Sequence, residues 1–122
     1  MAEPERPAEA VRAALAARLK QAMKARDQIA VETLRSLLSA LDNASAVPLP
    51  ADVDPYGSGP TEAARHEASA EEIASLFAAE TAERVAAAAD YRQRGLVREA
   101  ERLDAQIAVI AAFADALPGL EI

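Results

Sequence analysis

Apolar residues recur at intervals of three and four along most of this chain, and the exception is the segment from residue 44 to residue 68. Such spacing places apolar side chains on one face of an α-helix. The exceptional segment has four prolines and two glycines in 25 residues, which oppose both helix and strand. The sequence therefore predicts an all-α fold, a small helical bundle interrupted by one long loop or linker.

The N-terminal helical region begins after a predicted tail, residues 1–7. Its first apolar stripe comprises Val11, Leu15, Leu19, Ala22 and Met23, and its second comprises Ile29, Leu34, Leu37, Leu38 and Leu41. Asp27 is a suitable N-cap for the second stripe. No glycine or proline stands between the stripes, so residues 25–28 form either a turn between two helices or a kink in one helix.

The C-terminal region predicts a long αα-hairpin on which the N-terminal region packs. Ser69 followed by Glu72 matches a capping box, and Gly95 is suited to end the helix that starts there. Two sets of residues follow three-and-four spacing, the first interrupted by two charged residues: Ile73, Leu76, Phe77, Glu80, Arg84, Ala88 and Tyr91, then Leu96, Ala100, Leu103, Ile107, Ile110, Ala114 and Leu117. Pro118 and Gly119 end the second helix, which predicts one domain over residues 8–118 and a tail at 119–122.

Composition and charge narrow the functions open to such a bundle. Alanine is the most frequent apolar residue, so we expect a thin, elongated core. Residues 1–43 carry seven basic and six acidic side chains, whereas residues 44–122 carry six and fourteen. A chain of net charge −7 does not bind nucleic acid through bulk charge, and any such contact must be local.

The chain has no cysteine, which excludes disulfides, thiol nucleophiles and thiolate metal sites. A signal peptide is basic and then apolar, whereas the first ten residues of this chain are acidic. No run of about 18 uncharged apolar residues follows. We therefore expect a cytoplasmic protein without a membrane partner. The single histidine, His66, falls in the predicted loop, where solvation is the expected state. We predict no catalytic residue, no metal site and no cofactor.

Two groups of cations are candidates for phosphate contacts. The first comprises Arg18, Lys20, Lys24 and Arg26, and the second comprises Arg92, Arg94, Arg98 and Arg102. The alternative is that Arg98 and Arg102 pair with nearby acids such as Glu99, Glu101 and Asp104, and that lysine and arginine side chains near helix C-termini in either group interact only with the helix dipole. Arg35 and Arg84 lie within or beside an apolar stripe, and we expect Glu80 to form an ion pair with Arg84.

The run Ala22 to Asp27, with Thr33, Leu34, Arg35, Leu38, Leu41 and Asn43, resembles the N-terminal part of the GatB/YqeY family. Tyr91, Gly95, Ala100, Glu101, Leu117 and Pro118 are similar to the family's later hairpin. The turn after Gly95 departs from the family, since it has Leu-Val-Arg-Glu in place of Arg-Glu-Asp-Leu, and the chain ends where members continue into a small helical domain.

The resemblance implies a helical module similar to the C-terminal region of the tRNA-dependent amidotransferase B subunit, which helps hold tRNA. The family's label, carbon–nitrogen ligation with glutamine as amido-N-donor, would then describe a relative's complex. The expected partner is tRNA or an amidotransferase-like, translation-associated protein. The predicted nucleic-acid-binding residues are Lys20, Lys24, Arg26, Arg35, Arg92, Arg94 and Arg98. The alternative is a protein-interaction or self-associating module, which leaves homo-oligomerisation open.

Overall fold

The computed structural model describes residues 6–45 and 67–117, which form four helices and no strands. The helices are α1 (Pro7–Ala25), α2 (Gln28–Ser45), α3 (Ala70–Gln93) and α4 (Val97–Asp115). They confirm the predicted all-α bundle with a helical hairpin near the C-terminus. Residues 1–5 of the predicted N-terminal tail, residues 46–66 of the predicted loop with His66, and residues 118–122 with Pro118 and Gly119 lie outside the described residues. Within those residues, no helix is both long and apolar enough to cross a membrane.

Residues 25–28 form a turn, which decides between the two alternatives left by the sequence. Arg26 has a left-handed backbone with φ 57° and ends α1. Its backbone N–H donates to Met23 at 3.2 Å, and the N–H of Asp27 donates to the carbonyl of Ala22 at 3.0 Å. These two bonds form a Schellman motif, which normally has glycine in the left-handed position. The side chain of Asp27 then accepts from the Ala30 N–H at 3.1 Å, which confirms it as the predicted N-cap.

The turn between α3 and α4 uses the same motif with the usual residue. Gly95 has φ +76°, and its N–H donates to Arg92 at 3.0 Å while the Leu96 N–H donates to Tyr91 at 2.9 Å. At the other end of α3, Ser69 and Glu72 form both bonds of the predicted capping box. These two signals therefore mark the limits of α3 correctly.

Each hairpin is antiparallel, and α2 contacts all three other helices. In the first hairpin, Nη2 of Arg12 lies 2.9 Å from Asp42. In the second, the rings of Phe77 and Phe113 are 5.9 Å apart. The core lies between the hairpins, and its fully buried large side chains are Leu15, Thr33, Leu37, Leu41, Ile73, Phe77 and Ile110.

Four details of the sequence analysis are wrong. Met23 and Leu96, placed on apolar stripes, are 52% and 40% exposed, whereas Phe113, which we did not place on a stripe, is 2% exposed. The predicted loop starts too early, because α2 continues through Ser45. The first helix also starts at Pro7 itself rather than after it.

Candidate functional site

A polar cluster lies where α2, α3 and α4 meet. Arg84 of α3 is its centre, with a side chain that is 11% exposed. Its Nε donates to Gln106 of α4 at 2.9 Å, its Nη1 donates to the side-chain and backbone oxygens of Glu80 at 3.0 Å, and its Nη2 donates to Ser36 of α2 at 3.1 Å. The predicted ion pair between Arg84 and Glu80 is therefore confirmed.

Ser36 and Gln106 were not anticipated, because neither residue has a sequence signal that relates it to Arg84. Ser36 also donates to Glu80 at 3.4 Å, so the carboxylate accepts from two helices. A buried cation is tolerated when hydrogen bonds and a counter-ion satisfy it. Since the donors and acceptors of this cluster satisfy one another, it joins three helices and leaves no free group positioned for acid–base or nucleophilic chemistry.

Four of the seven predicted nucleic-acid-binding residues lie on the α1–α2 hairpin. Lys20 and Lys24 are four residues apart, so they share one face of α1, while Arg26 lies in the turn and Arg35 on α2. All four side chains are exposed. In the described part of the chain none of the four forms an ion pair, which leaves their charges available to an external anion.

The second group lies around the α3–α4 turn and is mostly paired. Arg92 contacts Asp104 of α4, and Arg94 lies 3.4 Å from Asp90. Arg102 contacts Glu32 of α2, so the acids predicted for it from the sequence are wrong. Arg98 is exposed and forms no ion pair with the described residues.

The described residues of the two hairpins carry net charges of opposite sign, as the two parts of the sequence do. Residues 6–45 hold seven basic and four acidic side chains, a net charge of +3. Residues 67–117 hold five basic and ten acidic side chains, a net charge of −5. A polyanion approaching this molecule is therefore attracted to the first hairpin and repelled by the second.

A shallow groove of about 300 Å³ separates α1 from the C-terminal half of α4 above the start of α2. It is lined by Ala22, Ala25, Ala30, Leu34, Val109, Ala112 and Phe113, with Arg18, Gln21 and Asp27 as its polar members. Arg18 thus faces a different surface from Lys20 and Lys24. The side chain of Asp27 is already engaged as the cap of α2, so the groove does not bring together groups for catalysis.

Comparisons of this chain with protein-family models, with curated proteins and with solved structures find no match.

Proposed function

We propose that this chain is an accessory module of translation that contacts tRNA through the outer surface of its first hairpin and performs no chemistry of its own. The observation that carries the proposal is that Lys20, Lys24, Arg26 and Arg35 are exposed, form no ion pair with the described residues, and lie on the hairpin whose described residues carry a net positive charge. Lysine and arginine contacts to phosphates supply most of the affinity in nucleic-acid binding without sequence preference.

The resemblance to the GatB/YqeY family supports the same surface. Three of the four cations, Lys24, Arg26 and Arg35, stand within the stretch that carries the resemblance. The amide-transfer label of that family would belong to a larger complex, in which a module of this kind holds tRNA. In this proposal Arg98 extends the surface, whereas Arg92 and Arg94 contribute less because they are engaged with Asp104 and Asp90.

The test is a tRNA-binding titration at several salt concentrations. We expect binding at low ionic strength that weakens as salt rises, because each phosphate contact releases condensed counterions. The triple variant Lys20→Ala, Lys24→Ala, Arg35→Ala should bind more weakly and lose about three units of the log–log salt slope, roughly one per phosphate contact.

A matched control is Arg6→Ala, which removes an exposed cation near the start of α1 that lies 3.6 Å from Glu9. Its affinity and salt slope should stay close to those of the wild type. Absence of tRNA binding at low salt, or a triple variant that binds as well as the control, contradicts the proposal. Co-purification of a translation-associated protein without RNA would instead favour the protein as the partner.

A further inference from the structure

The outer face of α3 is unlike an ordinary solvated helix face. The inner face of this helix buries Ile73, Phe77 and Ala88. On the opposite side a seven-residue repeat runs through Glu71, Ser75, Ala78, Ala82, Val85, Ala89 and Arg92, and all seven side chains are exposed. A solvent-facing helix surface normally carries charged residues, but the five positions between Glu71 and Arg92 are uncharged.

Val85 lies near the middle of this face and is 53% exposed, and among the described residues it is one of four exposed large apolar side chains. The neighbouring positions Ala74, Ala79, Thr81 and Ala86 are also uncharged. A spacing of alternating three and four residues is that of a coiled-coil seam, which stays in contact with a second helix along its length. The small side chains allow two helix axes to approach closely.

We propose that α3 packs against α3 of a second copy of this chain, in antiparallel orientation, to form a homodimer. The charges at the two ends of the face select this occupant. Glu71 lies at the N-terminal end and Arg92 at the C-terminal end. An antiparallel pair therefore brings Arg92 of each copy to the acidic end of the other, whereas a parallel pair places like charges together.

The face is self-complementary when the two-fold axis of the antiparallel pair passes midway between Ala82 and Val85. Each Ala82 then lies opposite Val85 of the other copy, and each Ala78 lies opposite Ala89. Arg92 lies opposite Ser75, with Glu71 of that copy one helical turn further, within reach of a long guanidinium side chain.

The side chains at both ends are able to form these contacts. Arg92 already contacts Asp104, but a guanidinium has five N–H donors, so it can contact a second carboxylate. Glu71 is exposed and makes no ion pair in the described part of the chain. A seam of alanine and one valine removes little area from water, and stable interfaces bury about 800 Å² per partner, so the expected dimer is weak and concentration-dependent.

This inference does not rest on the proposed tRNA contact, which uses the other hairpin. Sedimentation equilibrium of the full chain over a wide concentration range should show a monomer–dimer equilibrium. Val85→Glu places a charge in the seam without entering the core, and it should raise the dissociation constant at least about tenfold. The matched control is Ala13→Glu, which adds the same charge at an exposed alanine of α1 and should leave dimerisation unchanged.

A charge swap tests the orientation. Glu71→Arg and Arg92→Glu should each weaken the dimer, and the double variant should restore it, because each new arginine again meets a new glutamate. Strictly monomeric behaviour of the wild type, or a dimer insensitive to Val85→Glu, overturns the proposal. A double variant no tighter than the single variants overturns the antiparallel pairing. Circular dichroism confirms that each variant remains helical.

Discussion

Arg84 and Glu80 lie one helical turn apart on α3, and the guanidinium of Arg84 donates to both the carboxylate and the backbone carbonyl of Glu80 at 3.0 Å. The pair is not confined to its own helix, because Ser36 of α2 and Gln106 of α4 also bind the guanidinium. The polar centre of the bundle is therefore one connected network.

Removing one member of this pair should cost more than removing both. Glu80→Met leaves a largely buried cation without its counter-ion, and we expect the free energy of unfolding to fall by about 2 to 3 kcal/mol. The double variant with Arg84→Met should lose less than the sum of the single losses, which urea denaturation measures. The control is Arg94→Met, which breaks the exposed pair with Asp90 and should change stability by about 0.5 kcal/mol or less. Additive losses would show that the pair is not coupled.

Phe113 should be among the most sensitive positions of the core. It is 2% exposed and packs against Phe77, so Phe113→Ala should lower the unfolding free energy by about 3 to 5 kcal/mol. Because this loss approaches the stability of a small domain, Phe113→Leu serves as a milder variant, with a loss of about 1 to 2 kcal/mol. Met23→Ala is the control and should cost about 0.5 kcal/mol or less, since Met23 is exposed. Equal losses at Phe113 and Met23 would contradict the burial described here.

Arg26 occupies a backbone conformation that favours glycine. Arg26→Gly should raise the unfolding free energy by about 1 kcal/mol, because φ 57° strains a residue with a Cβ atom. Lys24→Gly lies two residues earlier, within α1, and should lower the unfolding free energy by about 0.5 to 1 kcal/mol, because glycine has a low helix propensity. Thermal or urea unfolding distinguishes the two variants, and a loss of stability in Arg26→Gly would exclude strain at this turn.

Gly95 occupies the same left-handed position in the turn between α3 and α4, but there the residue is already glycine. Apart from Gly95 and its two chain neighbours, no atom of the described residues lies within 4 Å of where a Cβ would be, so a side chain fits and only the backbone conformation at φ +76° opposes it. Gly95→Ala should cost about 1 to 2 kcal/mol, and Gly95→Asn should cost less, because asparagine tolerates the left-handed region better than alanine. Similar unfolding midpoints for the two variants would show that the loss of stability does not come from the left-handed backbone conformation.

The sequence predicted those parts of the fold that depend on neighbouring residues. The capping box of Ser69 and Glu72, the cap by Asp27 and the stop at Gly95 each involve residues at most three or four positions apart, and all are present in the structure. The ion pair of Arg84 with Glu80 was predictable for the same reason, since a spacing of four residues fixes their proximity on a helix.

Contacts between helices were decided only by tertiary packing. The turn at Arg26 lacks the glycine that usually marks a Schellman motif, so local chemistry could not distinguish it from a kink. Arg102 meets Glu32 of another hairpin rather than an acid of its own helix, and Ser36 and Gln106 join Arg84 across the bundle. The sequence supplied the seven cations of the candidate binding surface. The fold separated the four on the first hairpin, which form no ion pair with the described residues, from Arg92 and Arg94, which are paired with acids. Helical periodicity fixes which residues share a face, but only the relative placement of helices fixes which charges neutralise one another.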